Sequence, residues 1–112
     1  MAQQAATVRD VFERHIPGKF QAKPDLVTKI NSIYQFNISG AGGGPWAVDC
    51  TQPGGRVSEG AAASPKCTVS ATDADFLGIV NGKLNPQMAF MSGKLKIQGD
   101  MGLAMKLQQL LT

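Results

Sequence analysis

The chain has 112 residues, 43% of them apolar and 17% charged, with eleven basic against eight acidic side chains for a formal net charge of +3. That length suits a single domain spanning residues 1–112 with a modest core, and the composition excludes a disordered chain. The longest apolar run is too short to cross a bilayer, and the scattered charges lack the aromatic-interleaved basic stripe that tracks nucleic-acid phosphates.

No continuous apolar segment of signal-peptide type opens the chain, so export is not expected unless a leader has been removed. The closest basic pair, Lys94 and Lys96, sits on the outer side of one strand. A few such lysines suit a transient attraction to anionic membrane surfaces. Cys50 and Cys67 stand apart, without a CxxC pair or a histidine cluster. They read as free buried thiols of a reducing compartment, with a disulfide between neighbouring strands as the open alternative. His15, the sole histidine, cannot build a multi-histidine metal site and reads as structural or exposed.

In chain order, Thr7-Val8-Arg9-Asp10 has the form of a capping box, and Val8, Val11, Phe12 and Ile16 recur on one helical face. Pro17-Gly18 is expected to end that helix. A second helix starts near Pro24, carries Leu26, Val27 and Ile30 inward, and exits at Asn31-Ser32. Tyr34, Phe36 and Ile38 alternate with Gln35, Asn37 and Ser39, the clearest strand pattern in the chain. Gly40 to Pro45 is a flexible hairpin turn. Its run Gly42-Gly43-Gly44 lacks the lysine-serine or lysine-threonine pair that a phosphate loop needs.

Trp46, Val48 and Cys50 mark a second strand, Pro53-Gly54-Gly55 a turn, and Arg56 to Glu59 a polar edge strand. Gly60 to Pro65 crosses over to a fourth strand that points Cys67 and Val69 one way. Hairpins suit this succession better than a parallel sheet with intervening helices. Thr72 caps the next helix and Gly82 stops it. Asn85-Pro86 announces a short helix, closed by Gly93. Leu95 and Ile97 face inward from a fifth strand, and Gly99-Asp100 starts a final amphipathic helix. The outcome is an α+β layer structure.

No catalytic constellation assembles from these residues, and no enzyme is expected. Asp73 and Asp75 are explained by the positive end of a helix, Asp49 and Asp100 lie near turns, and Cys67 has no local histidine to activate it. An apolar cavity asks for less. Four of the five methionines fall between positions 88 and 105, and a thioether can line an irregular apolar space without one fixed packing. Tyr34, Phe36 and Trp46 supply a wall from the sheet, with Phe76, Met88, Phe90, Met101 and Met105 facing it from the helices. Each methylene buried there contributes about 0.8 kcal/mol before ordering costs.

The stretch Phe76-Leu77-Gly78-Ile79-Val80-Asn81-Gly82-Lys83-Leu84-Asn85-Pro86-Gln87-Met88-Ala89-Phe90, continued by Met91-Ser92-Gly93-Lys94-Leu95-Lys96-Ile97-Gln98-Gly99-Asp100, resembles the sterol carrier protein 2 family. Ile30-Asn31-Ser32-Ile33-Tyr34-Gln35-Phe36 and Trp46-Ala47-Val48-Asp49 match the family's first two strands and the preceding helix. The similarity runs over nearly the whole chain. It implies a five-stranded, mainly antiparallel sheet covered by helices around a hydrophobic tunnel. The implied ligands are long-chain fatty acids, acyl-CoAs, sterols or phospholipids, moved between membranes by a monomer without metal or cofactor.

Carried onto this sequence, the tunnel lining comprises Phe36, Trp46, Phe76, Phe90, Met101 and Met105. Met105 stands where some relatives have glutamine, which removes a polar contact to a lipid head group. The chain ends Leu110-Leu111-Thr112 where many relatives carry a Ser-Lys-Leu or Ala-Lys-Leu peroxisomal address. The resemblance therefore implies peroxisome or cytoplasm, as a standalone carrier or a lipid-presenting accessory domain of a larger peroxisomal enzyme. The rival reading is an interaction domain whose apolar C-terminal helix, through Leu107, Leu110 and Leu111, packs on a partner protein.

Overall fold

The computed structural model describes residues 7–62 and 64–111, apart from the side chains at positions 101, 104, 108 and 109. Five strands form one sheet in the order β3-β2-β1-β4-β5: β1 Ile33–Ser39, β2 Gly44–Asp49, β3 Arg56–Glu59, β4 Cys67–Thr72 and β5 Leu95–Gly99. Three of the four pairings are antiparallel, and β1 pairs with β4 in parallel. The fold is α+β with a mixed sheet: β1–β2 and β2–β3 are the expected hairpins, whereas β4 and β5 pair antiparallel across two intervening helices. The β2–β3 hairpin and the crossover at residues 60–66 lie between β1 and β4 in sequence, so the chain returns to the far side of β1 in the same direction.

Register sets the site. Phe36 lies across from Trp46 on one side and Val69 on the other, Trp46 across from Glu59, and Val69 across from Ile97. Cross-strand partners share a face. One row therefore runs from a carboxylate at the β3 edge to aromatic rings at the centre. A parallel row joins Val57, Val48, Tyr34 and Cys67. On the opposite face Gln35 is buried, against the expectation from strict alternation. Its amide nitrogen donates to Asn37 Oδ1 at 3.2 Å and Gly60 O at 3.4 Å, and its oxygen accepts from Ala62 N. The crossover covers it.

The first helical run passes through Pro17 rather than stopping there. It consists of α1 Val8–Asp10, a π-helical turn Val11–His15, and α2 Ile16–Ala22. The Ile16 amide reaches back five residues to Val11 O, and Pro17, which has no N–H to give the ladder, follows directly on that wider turn. A wider turn also advances fewer degrees per residue. Val8, Phe12, Ile16 and Phe20, each four residues apart, consequently stay near one line, and all are buried.

The other helices are α3 Pro24–Ile30, α4 Asp73–Val80, α5 Pro86–Met91 and α6 Met101–Leu111. Their caps follow the sequence: Thr7 accepts from Asp10 N, Thr72 from Asp75 N, Asn85 from Gln87 N, and Asp100 from Gly102 N. Helix α6 turns Leu103, Leu107, Leu110 and Leu111 into the core. Two side chains fasten its backbone, Tyr34 Oη donating to Leu103 O at 2.5 Å and His15 Nε2 bonding Leu111 O at 2.8 Å, and its own Lys106 Nζ donates to Lys29 O of α3 at 2.9 Å. The lone histidine is thus a structural tie between the two ends of the fold.

The tie from Tyr34 is buried, so its loss is measurable. Tyr34→Phe should lower unfolding free energy by about 1 kcal/mol in urea titration, whereas Met105→Gln, on the outer side of α6, should stay within about 0.5 kcal/mol of the parent.

Candidate functional site: an aromatic floor and the cleft above it

Four rings from three elements meet beneath the first helical run. Phe12 stacks on Trp46 at 4.9 Å between centroids and on Phe76 at 5.4 Å, both 7° from parallel. Phe36 meets Phe12 edge-on at 5.2 Å and Phe76 at 5.9 Å, and Tyr34 lies 5.8 Å from Phe36. Offset and edge contacts of this kind add to the area that the rings bury.

Above this floor, between the helical run and the β2–β3 hairpin, opens a cleft of about 490 Å³. Its apolar lining comes from Phe12, Pro17, Phe20, Trp46 and Val57. Gly54 and Gly55 form one wall. Gly55 has φ +75°, and a Cβ there would stand 2.5 Å from the Phe20 ring, so only glycine lets the hairpin close on that ring. The rim is polar. Arg9 lies 5.5 Å above the Trp46 ring and pairs with Glu13 at 3.1 Å and Glu59 at 3.4 Å. These pairs are exposed and add little to stability, but they span the mouth from α1 to β3.

The structure brings together three of the six residues expected in the lining, Phe36, Trp46 and Phe76. Phe90 and Met105 stand apart from them, 42% and 80% exposed, and Met88 and Met91 are 68% and 85% exposed. The Met101 side chain lies outside the described residues. Helical geometry explains the outward methionines. Met105 is two positions from both Leu103 and Leu107, which puts it on the far side of α6. Helix α5 is seated through small, fully buried Ala89, leaving its longer neighbours outside. Phe20 and Val57 were not singled out from the sequence, the former because Pro17-Gly18 marked a helix end before it. Phe12 was legible only as part of a helix face.

Both cysteines are free and buried. Burial pushes the Cys50 thiol up to about 12, with Asp49 adding to it, and the Cys67 thiol up to about 11, with Asp100 adding to it. Burial likewise raises the Tyr34 hydroxyl, helped by Cys67, Cys50 and Asp100. These groups are neutral near pH 7 and poor nucleophiles. Among the described residues no three histidine, cysteine or acidic side chains converge on a metal position, and no helix is long and apolar enough to cross a membrane.

Residues 12–112 match the model of the SCP-2 sterol transfer family. The chain belongs to this family. It is similar to human sterol carrier protein 2, with 46% identity over 88 residues, 76% of this chain and 16% of that protein. It is also similar to peroxisomal multifunctional enzyme A of Dictyostelium discoideum, with 46% identity over 99 residues, 86% of this chain and 22% of the enzyme. The chain thus spans about a sixth to a fifth of the length of these curated relatives. Among solved structures, palmitated SCP2L2 from Aedes aegypti superposes with a TM-score of 0.73 at 30% identity, covering 94% of each chain. The mixed sheet flanked by helices is the fold of this family, and its members are lipid-binding and lipid-transfer modules rather than enzymes.

The raised thiols set a pH dependence. Each folded value lies above the ordinary 9.0, so the folded state holds these protons more tightly. Their contribution is whole below about pH 9 and drains as pH rises toward the folded values. Ellman's reagent should leave both cysteines untouched in the native protein and react after denaturant is added. The urea midpoint should fall more steeply between about pH 8 and 11 in the parent than in a Cys50→Ala/Cys67→Ala double variant.

Proposed function

We propose that this chain binds a long acyl chain against the ring floor and carries it through water between membranes, with a fatty acid as the principal cargo and acyl-CoA, sterol or phospholipid as further ligands. The observation that carries the reading is the cleft resting on the Phe12 and Trp46 rings, with Phe36 and Phe76 behind them. The palmitated Aedes aegypti relative supports the cargo class. About ten buried methylenes contribute about 8 kcal/mol before ordering costs, enough for reversible binding. In this mechanism the lipid tail replaces water on the rings, and loosening of α6 accompanies release. Phe90 and Met105, expected in the lining, are exposed and take no part in this cleft. Packing of the tail on the rings carries the function.

A second reading follows from the share of the relatives that the chain covers. Within a longer protein the same fold would present lipid to an attached enzyme. The similarity to a peroxisomal multifunctional enzyme supports a peroxisomal setting for that arrangement, beside a cytoplasmic one for the free carrier.

Trp46 is the only tryptophan and reports on the site directly. Titration of delipidated protein with a long-chain fatty acid should change its emission saturably. Trp46→Ala should weaken binding of a fluorescent fatty acid about tenfold or more. Folded protein without saturable binding would overturn the proposal.

A further inference from the structure

Helix α5 is an anomaly that the cleft does not absorb. Three large apolar side chains on six residues, Met88, Phe90 and Met91, face water, while only Ala89 is seated in the core. Scattered exposed apolar residues are ordinary, but a cluster on one short element marks a contact surface. The surrounding charge is one-sided. From Phe76 to Gly99 the sequence has three lysines and no carboxylate, and Lys83 and Lys94, both exposed, bracket the helix.

The backbone of this knuckle is already paired. Asn85 Oδ1 accepts from Gln87 N and Met88 N, Ala89 N donates to Asn85 O, and Ser92 N donates to Met88 O. Ser92 Oγ and Lys94 N both donate to Ala89 O. A tip whose amides are satisfied internally can enter a head-group layer without stripping water from unpaired backbone. Methionine and phenylalanine would sink below the head groups while the flanking ammonium groups stay at the phosphate level.

From this juxtaposition of exposed Met88, Phe90 and Met91 with Lys83 and Lys94, we infer that α5 is the surface by which the protein docks on an anionic lipid bilayer. The inference extends the carrier reading from the cargo to its delivery. Charge complementarity selects the occupant: a protein groove lined by apolar residues would not need the lysine bracket, whereas an anionic leaflet attracts both features together.

Vesicle flotation with the full chain tests it, using phosphatidylcholine alone and phosphatidylcholine with phosphatidylserine. The parent should bind the anionic vesicles and release them as salt rises. Met88→Ser/Met91→Ser should lower that partitioning about tenfold or more, and Lys83→Glu/Lys94→Glu should do the same on anionic vesicles only. Both variants should keep the parent's fatty-acid affinity within about twofold, which separates docking from cargo binding. The lysine pair carries the test should the methionine variant not fold. Unchanged partitioning in the folded variants overturns the inference. So does a parallel loss of fatty-acid affinity, which assigns the residues to the cargo site. A concentration-dependent dimer that Met88→Ser/Met91→Ser abolishes also overturns it, by giving the patch to a second copy.

Discussion

Phe12 stacked on both Trp46 and Phe76 is the contact on which the rest of the molecule depends. It fixes the first helical run over the centre of the sheet, and it ties β2 to α4 through one ring. The helix cannot lie flat on that ring unless Val8, Ile16 and Phe20 follow it onto the same line, and the π-helical turn before Pro17 supplies that alignment. The cleft exists because the helix, held at this height by rings, meets the β2–β3 hairpin at the edge rather than closing over it. Trp46 and Glu59, neighbours across the register, then supply an apolar floor and a polar rim within one row of residues.

The same layering explains why binding rather than catalysis is the natural use of this site. Ionisable groups near the core are held in their neutral forms, and the charged ones at the mouth are paired and solvent-facing. A hydrocarbon tail asks for neither a nucleophile nor a base. It asks for area that water leaves willingly. The ring floor offers that area on the sheet, while the C-terminal helix is fastened at Leu103, Leu111 and Lys106.

Much of this was legible in the amino-acid order. Alternation at Tyr34, Phe36 and Ile38 gave the central strand, and Thr7, Thr72 and Asn85 announced helix starts where their side chains do cap amides. The parallel pairing of β1 and β4 was not legible, because alternation reports which face is buried and not which strand lies alongside. Passage of the helix through Pro17 was hidden for a related reason: a π turn leaves no mark in periodicity beyond spacings of four. The burial of Gln35 depends on a crossover that folds back from residues 60–62, a tertiary event that overrides local alternation. Methionine identity suggested a pocket lining, yet position on α6 relative to Leu103 and Leu107 determined that Met105 faces water.

The central claim is that the acyl chain lies on the rings beneath the first helical run. The most direct measurement is intermolecular nuclear Overhauser contact between isotope-labelled palmitate and the protein side chains. The account predicts contacts from the chain methylenes to the ring protons of Phe12, Trp46 and Phe76. Contacts confined to the side chains of α5 and α6, with these rings undisturbed, would contradict it.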